Sequence, residues 1–350
     1  MSVSLVDFLH YLVSSKLLAF TVVLTLGVVV VNGWTDAPNA IVTCISTGSM
    51  KPRAAIIMAA VFKFLGVVVM TALNSTVAQT IYKMVDFGGE AHIASIAQCA
   101  ALFAIVLWAT AAWWYAIPTS ESHALIAAIS GAAIAVQGGI SGINLAEWIK
   151  VLYGLGLSTT MGFSLGWLVV KVVNGIFRGS NLREISEVFK KAQIAGGAGM
   201  AFMHGAQDGQ KFIAIFMLGI FLAQGQVNAT QFHVPLWLMI LCSVVMALGT
   251  SIGGMRIIKS VGMEMVKLDK AQGFSADLAA IVCLLTASMA GIPVSTTHMK
   301  TTAIMGVGAA KGLSSVNWRI VRDMVLAWIL TFPGCGLIGY FMAKIFLGLF

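Results

Sequence analysis

Two short polar motifs occur twice in this chain, in the same order and at nearly the same separation. Asn32-Gly33-Trp34-Thr35-Asp36 recurs as His204-Gly205-Ala206-Gln207-Asp208. Ile117-Pro118-Thr119-Ser120-Glu121-Ser122-His123 recurs as Ile292-Pro293-Val294-Ser295-Thr296-Thr297-His298. Asp36 and His123 lie 87 positions apart, Asp208 and His298 lie 90. One matched pair of short motifs is cheap, but two in register mark a duplicated unit. The boundary falls in the polar stretch 178–191, giving a first repeat over 1–177 and a second over 192–350.

The surroundings of these motifs are unusually apolar. Of the 350 residues 59% are hydrophobic and 10% charged, with a mean hydropathy of +0.94; soluble domains carry roughly 25% charged residues. The chain belongs in a bilayer, where a helix needs about 20 apolar residues to cross, so its length allows about ten crossings and no soluble domain. The long apolar runs exclude a β-barrel, whose alternating segments are only ~10 residues each. Several runs have the wrong length for one plain helix. The run over 17–47 is interrupted by NGWTDAPNA and that over 192–224 by HGAQDGQK, while 124–137 and 302–310 are too short to span. Interrupted backbone at membrane depth survives only where protein or a water-filled cavity satisfies it. The expected fold is therefore an all-α polytopic membrane protein with two broken helices (32–40 and 204–211) and two re-entrant hairpins (tips 118–123 and 293–298).

The net charge of +8 reads as topology rather than as nucleic-acid binding. Cytoplasmic loops collect Lys and Arg, and if each hairpin enters and leaves from one side, the stretches 48–53, 178–191, 256–272 and 311–322 all become cytoplasmic. They hold 13 of the 21 basic residues, and the linker 178–191 is then cytoplasmic and both termini extracytoplasmic. Equivalent loops of the two halves fall on opposite sides, which makes the duplication an inverted-topology repeat, with a binding site expected near the midplane. The five cysteines fall in separate apolar segments with no CxxC or Cys/His metal spacing, the N-terminal stretch shows no cleavable signal, and the glycines no nucleotide-binding pattern. Glycine runs such as Gly196, Gly197, Gly199 and Gly334, Gly336, Gly339 fit close helix packing.

An ionisable residue at membrane depth is a functional candidate by default. Asp36 and Asp208 can each bind a cation, carry a proton, or cap a half-helix, whose free N–H groups can hold an anion. The tip residues Ser120, Ser122, Ser295, Thr296 and Thr297 both donate and accept, so they can serve an oxyanion or sodium, or satisfy local backbone. Lys211 stands at the position of Asn39 and can partner an anion or form a salt bridge with Asp208. The histidines His123 and His298 can titrate or simply donate.

These motifs resemble the inorganic phosphate transporter (PiT) family, in its bacterial branch, over residues 17–348. The resemblance rests on NGWTDAPNA, PTSESHALIAAISGAAIA, HGAQDGQK, PVSTTHMKTTAIMGVG and TSIGGMRIIKSVG. It implies a cation-coupled symporter of inorganic phosphate working by alternating access in the cell membrane, with no catalytic residue and no cofactor beyond a coupling ion, sodium or proton. It also implies the site residues. Thr119, Ser120, Ser122, Asp208, Gln210, Lys211, Ser295, Thr296 and Thr297 would meet substrate. Asp36, Asn39, Thr43, Asp208, Ser120 and Ser295 would couple cations, with sodium at Asp36 and Asp208. The sequence departs from the family pattern at Thr35 and Gln207, where Asn is usual, at Glu121 in place of a small hydroxyl residue, at Lys63 in place of Asn, and at Lys300 in place of an apolar residue.

Glu121 is expected to pair with Lys63 or Lys300, since an isolated buried carboxylate is costly and repels phosphate. These three residues, with His123 and His298, are the candidates for proton transfer or charge compensation. Expected partners are inorganic phosphate, monovalent cations, the lipid bilayer and, left open, a second copy in a homodimer; nucleic acid is not among them. Sulfate or another tetrahedral oxyanion is the alternative cargo, and a channel or an intramembrane hydrolase the remote alternatives.

Overall fold

The computed structural model describes residues 3–36, 38–115, 119–179, 182–226, 233–252 and 258–350. Pro118 in the first tip, part of the 225–234 loop and Arg256 thus lie outside the described residues. The helices are α1 (Leu5–Ser14), α2 (Lys16–Thr35), α3 (Pro38–Ser46), α4 (Pro52–Leu73), α5 (Thr76–Tyr82), α6 (Ala91–Trp114), α7 (Glu121–Gln137), α8 (Leu145–Ile176), α9 (Leu182–Ala223), α10 (Leu236–Ile252), α11 (Lys270–Met289), α12 (Thr296–Lys311) and α13 (Trp318–Leu349). A π-helical turn, Ser260–Met265, lies between α10 and α11.

Among the described residues seven helical spans are long and apolar enough to cross a membrane: α2 with α3, α4, α6, α8, α9, α11 and α13. That is fewer than the about ten crossings the length allows, because α7 and α12, at 17 and 16 residues, and the apolar helices α1 and α10, at 10 and 17 residues, are all shorter than any of the seven. Polarity is inverted relative to a soluble domain. Ile57, Leu107, Leu248 and Ile329 are exposed, whereas Asp36, Asp208, Asp277 and Lys300 are buried. The protein is a multi-pass membrane protein.

The two polar interruptions behave differently. Pro38 has no N–H and its ring would collide with the carbonyl of Trp34, so α2 ends at Thr35 and α3 begins at Pro38. The expected break at 204–211 does not occur. HGAQDGQK has two glycines but no proline, glycine costs a helix only about 1 kcal/mol, and α9 runs through it without interruption. The stretch 178–191, read as a linker, is also largely helical, its residues from Leu182 onward forming the start of α9. The 42 residues of α9 measure about 63 Å at 1.5 Å per residue, roughly twice the hydrocarbon thickness.

Elsewhere the sequence sets its own boundaries. Pro52 occupies the first turn of α4, where a missing N–H costs nothing. Asn144 caps α8, and Asp269 with Gln272 forms a capping box on α11. Ser120 and Ser295 cap α7 and α12 by accepting from the N–H groups of His123 and His298, at 3.3 and 3.2 Å.

Each hairpin returns to the face it left. The first starts and ends beside an isolated bridge between Val85 and Ile143, where the Asn144 N–H donates to the Met84 carbonyl at 3.0 Å. The second starts and ends beside a bridge between Val266 and Val316, where the Asn317 N–H donates to the Met265 carbonyl at 2.9 Å. These bridges lie on opposite faces. The N-terminal end of α8 shares a cleft with Thr76, Lys83 and Gly291, while its C-terminal end shares one with Thr47, Ser186 and Lys270. Packing repeats with the halves exchanged: α4 on α9 and α10 on α2, α7 on α13 and α12 on α8. A Cβ on Gly339 would enter the backbone of Ala128, and one on Gly166 that of Ala303, so small residues set both of the latter contacts. The five cysteines are free and buried.

Candidate functional site

The centre of the bundle holds a polar cluster built by α2, α7, α9 and α12. At the end of α2, the Asp36 carboxylate accepts from Asn39 Nδ2 at 2.9 Å, from the Thr296 hydroxyl at 3.3 Å and from the Thr297 hydroxyl. Asn39 Nδ2 also donates to Thr297 Oγ1 at 3.0 Å. On α9, Asp208 faces Lys211 Nζ at 2.7 Å and His204 Nε2 at 2.9 Å. It also lies within reach of the Thr296 hydroxyl at 3.2 Å, the Ser122 hydroxyl at 3.4 Å and Asn32 Nδ2 at 3.5 Å. Thr296 therefore stands between both aspartates with a single proton to give. Two carboxylates this close repel one another unless a cation or proton intervenes. Donor atoms of Asp36, His204 and Asp208 lie within 4.8 Å of one another, a spacing a single cation can bridge.

Spacing on α9 explains why the helix tolerates this load. His204 and Lys211 lie four residues before and three after Asp208, so all three share one face. Lys211 spends its three N–H bonds on Ser122 Oγ at 2.6 Å, Asp208 at 2.7 Å and the Val294 carbonyl at 2.6 Å. It thereby ties α9 to both hairpin tips. Because Ser122 and Thr296 lie in the first turns of α7 and α12, the positive ends of two helix dipoles meet at Asp208, an arrangement that favours an anion.

Glu121 and Lys63 are buried beside this cluster. The backbone of Lys63 touches Gly205, where a Cβ could not fit, so α4 passes α9 one turn from Asp208. Lys63 Nζ has no hydrogen-bond partner among the described residues; the carboxylates whose charge it feels are Asp36, Asp208 and Glu121. Neither Glu121 oxygen is within hydrogen-bonding geometry of a donor, with the Asn32 amide facing it. The expected Glu121 ion pair is thus absent among the described residues, and its second proposed partner is engaged elsewhere.

Lys300 instead forms an ion pair with Asp277 of α11. Around that pair, Thr43 Oγ1 donates to Asp277 at 2.9 Å and accepts from Lys300 Nζ at 3.1 Å, and Gln193 Nε2 donates to both Thr43 and Asp277. Thr43 therefore belongs to this second buried cluster and not to the aspartate pair. The reason is helical: seven residues beyond Asp36 on α3, it has moved two turns along the bundle.

Other expected residues also lie apart. Gln210 holds the start of α5, accepting from the Ala78 N–H at 3.3 Å and donating to the Asn74 carbonyl at 2.7 Å; two positions beyond Asp208, it points to another side of α9. Thr119 lines a cleft of about 270 Å³ with Trp108, Tyr115 and Leu330. His123 and His298 meet edge to face at 4.6 Å and are packed by Phe332 and Trp328, with no side-chain carboxylate or amine bonded to either ring among the described residues. Sequence reasoning missed Asp277, Gln193, His204 and Asn32. Asp277 carried a usable signal, an acid inside an apolar stretch. His204 and Asn32 were visible in the repeated motif itself, four positions before each aspartate.

The sequence pattern of the phosphate transporter family matches residues 32–183 and 177–339. A "probable low-affinity inorganic phosphate transporter" of Bacillus subtilis (strain 168) is 38% identical over 315 residues, 89% of this chain and 92% of that protein. A protein with the same name from Rhizobium meliloti (strain 1021) is 35% identical over 318 residues, 90% of this chain and 92% of its own length. The solved structure titled "The sodium-dependent phosphate transporter" superposes with a TM-score of 0.87 over 96% of this chain and 100% of that one, at 21% identity, a likeness of fold.

Proposed function

The chain belongs to the phosphate transporter family, and on that premise we propose that it carries inorganic phosphate across the cell membrane in symport with sodium or protons. The observation that carries this reading is the meeting of both hairpin tips, through Ser122 and Thr296, at Asp208 and beside Asp36. Hydroxyls and helix N-termini suit a tetrahedral oxyanion, while the paired carboxylates suit cations. The names of the relatives and of the solved structure support phosphate as cargo and sodium as a coupling ion.

Substrate contacts fall to Ser122, Thr296, Thr297 and Lys211, and cation contacts to Asp36, Asn39 and Asp208. The exchanged packing and the two matching bridges support an inverted repeat, whose halves would rock around the central cluster to open it to alternate sides. The gathering of residues 185–189 and 269–271 on one face supports a cytoplasmic assignment for that face, with both termini outside.

Electrostatics sets the coupling. Moving one charge against 100 mV costs about 2.3 kcal/mol, so importing a divalent phosphate against an inside-negative potential requires at least two monovalent cations to cancel that cost. The test is uptake of labelled phosphate into proteoliposomes under imposed sodium, proton and voltage gradients, with sulfate as competitor. Accumulation driven by a cation gradient and unaffected by excess sulfate is expected. Downhill equilibration alone would overturn symport, and full competition by sulfate would overturn phosphate selectivity.

A further inference from the structure

Three acids, Asp36, Glu121 and Asp208, and two amines, Lys63 and Lys211, share the buried centre. Their partners differ. Lys211 is fully used by Asp208, Ser122 and the Val294 carbonyl. Lys63 Nζ is buried with no hydrogen-bond partner among the described residues. An ammonium in that setting is costly unless surrounding charge compensates for lost water, and the three carboxylates supply that field. For Glu121, Lys63 is the cation whose charge reaches it.

The exchanged half has no equivalent. Gly66 of α4 packs against Phe202 of α9, and Gly249 of α10 against Val30 of α2; three residues before these glycines stand Lys63 and Met246. The cation is therefore an addition on one side only, at a contact the packing does not require to be charged.

We propose that the Lys63 ammonium is a tethered counter-cation of the central site, taking the electrostatic place of one mobile cation among Asp36, Glu121 and Asp208. This deepens the symport reading and rests on it for its functional meaning. With the acids ionised and both amines charged, the pocket carries one net negative charge; replacing Lys63 by a neutral residue raises this to two, a deficit that one further bound sodium can fill.

The experiment counts sodium directly. Equilibrium binding of radioactive sodium to the purified full-length chain is compared for wild type, Lys63→Gln, Lys63→Arg and the double variant Lys63→Gln/Glu121→Gln. Lys63→Gln is expected to bind one more sodium per chain than wild type, while Lys63→Arg and the double variant match wild type. Equal counts for Lys63→Gln and wild type overturn the proposal. If Lys63→Gln does not yield folded protein, recovery of folded protein by the double variant supports compensation between Lys63 and Glu121, and failure to recover overturns it. The count needs no transport, so a wild type that takes up no phosphate would remove the symport reading while leaving the result for Lys63 intact.

Discussion

The two aspartates at the centre of this protein occupy matched positions and solve the problem of burial in opposite ways. Asp208 sits in an unbroken helix and carries its own partners, His204 one turn before it and Lys211 one turn after it. Asp36 sits where a helix breaks before Pro38, and its hydrogen bonds come from neutral groups, Asn39, Thr296 and Thr297. One carboxylate is held by charge inside a rigid rod, the other by amide and hydroxyls at a joint. The lesson is that two matched motifs place an acid at the same position and differ in how it is neutralised: of the two, Asp36 is the one with no amine bonded to it.

The sharpest way to break this contrast is to neutralise each acid in turn. Asp208→Asn strands the buried Lys211 ammonium, and losing one member of a buried pair costs about 3–5 kcal/mol. Asp36→Asn keeps an accepting oxygen for Asn39 and strands no salt-bridged amine, so it is expected to cost about 1 kcal/mol. Thermal unfolding in detergent separates the two, and both variants are expected to lose cation-driven phosphate uptake. Equal loss of stability would dissolve the distinction.

A smaller effect is expected at the joint. Pro38→Ala restores an N–H that can close the helical ladder between α2 and α3, a gain on the order of 1 kcal/mol. The melting temperature should hold or rise while phosphate uptake falls, since a continuous helix would draw Asp36 away from the hairpin tips. Uptake at the wild-type rate would show that the break plays no part. The smallest functional effect belongs to Gln210→Leu, which removes two bonds to the backbone at 74–78 and should cost about 1–2 kcal/mol. Its KM for phosphate should stay at the wild-type value; a raised KM would return Gln210 to the substrate site.

Much of this was legible in residue order. The repeated motifs located Asp36, Asp208 and both tips, and apolar run length marked α7 and α12 as too short to cross. The proposed break in α9 failed because polar residues and glycines interrupt hydropathy without interrupting a helix; only proline removes the hydrogen bond and adds a clash. Gln210 and Thr43 lie apart from the aspartate pair for a related reason. Neighbours in a motif point to different sides of a helix at 3.6 residues per turn, so proximity in sequence to Asp208 or Asp36 does not aim a side chain at the same spot.

By itself, the sequence determined the membrane environment and the family, because each is written in composition or in motifs that need no partner to be read. Tertiary structure alone decided which charges meet. Lys300 finds Asp277 rather than Glu121, Lys63 is left facing three carboxylates without a bond, and Thr296 reaches both aspartates, because these pairings depend on how α4, α9, α11 and α12 cross. In a low-dielectric interior such distances decide whether a buried charge is a strut or a site.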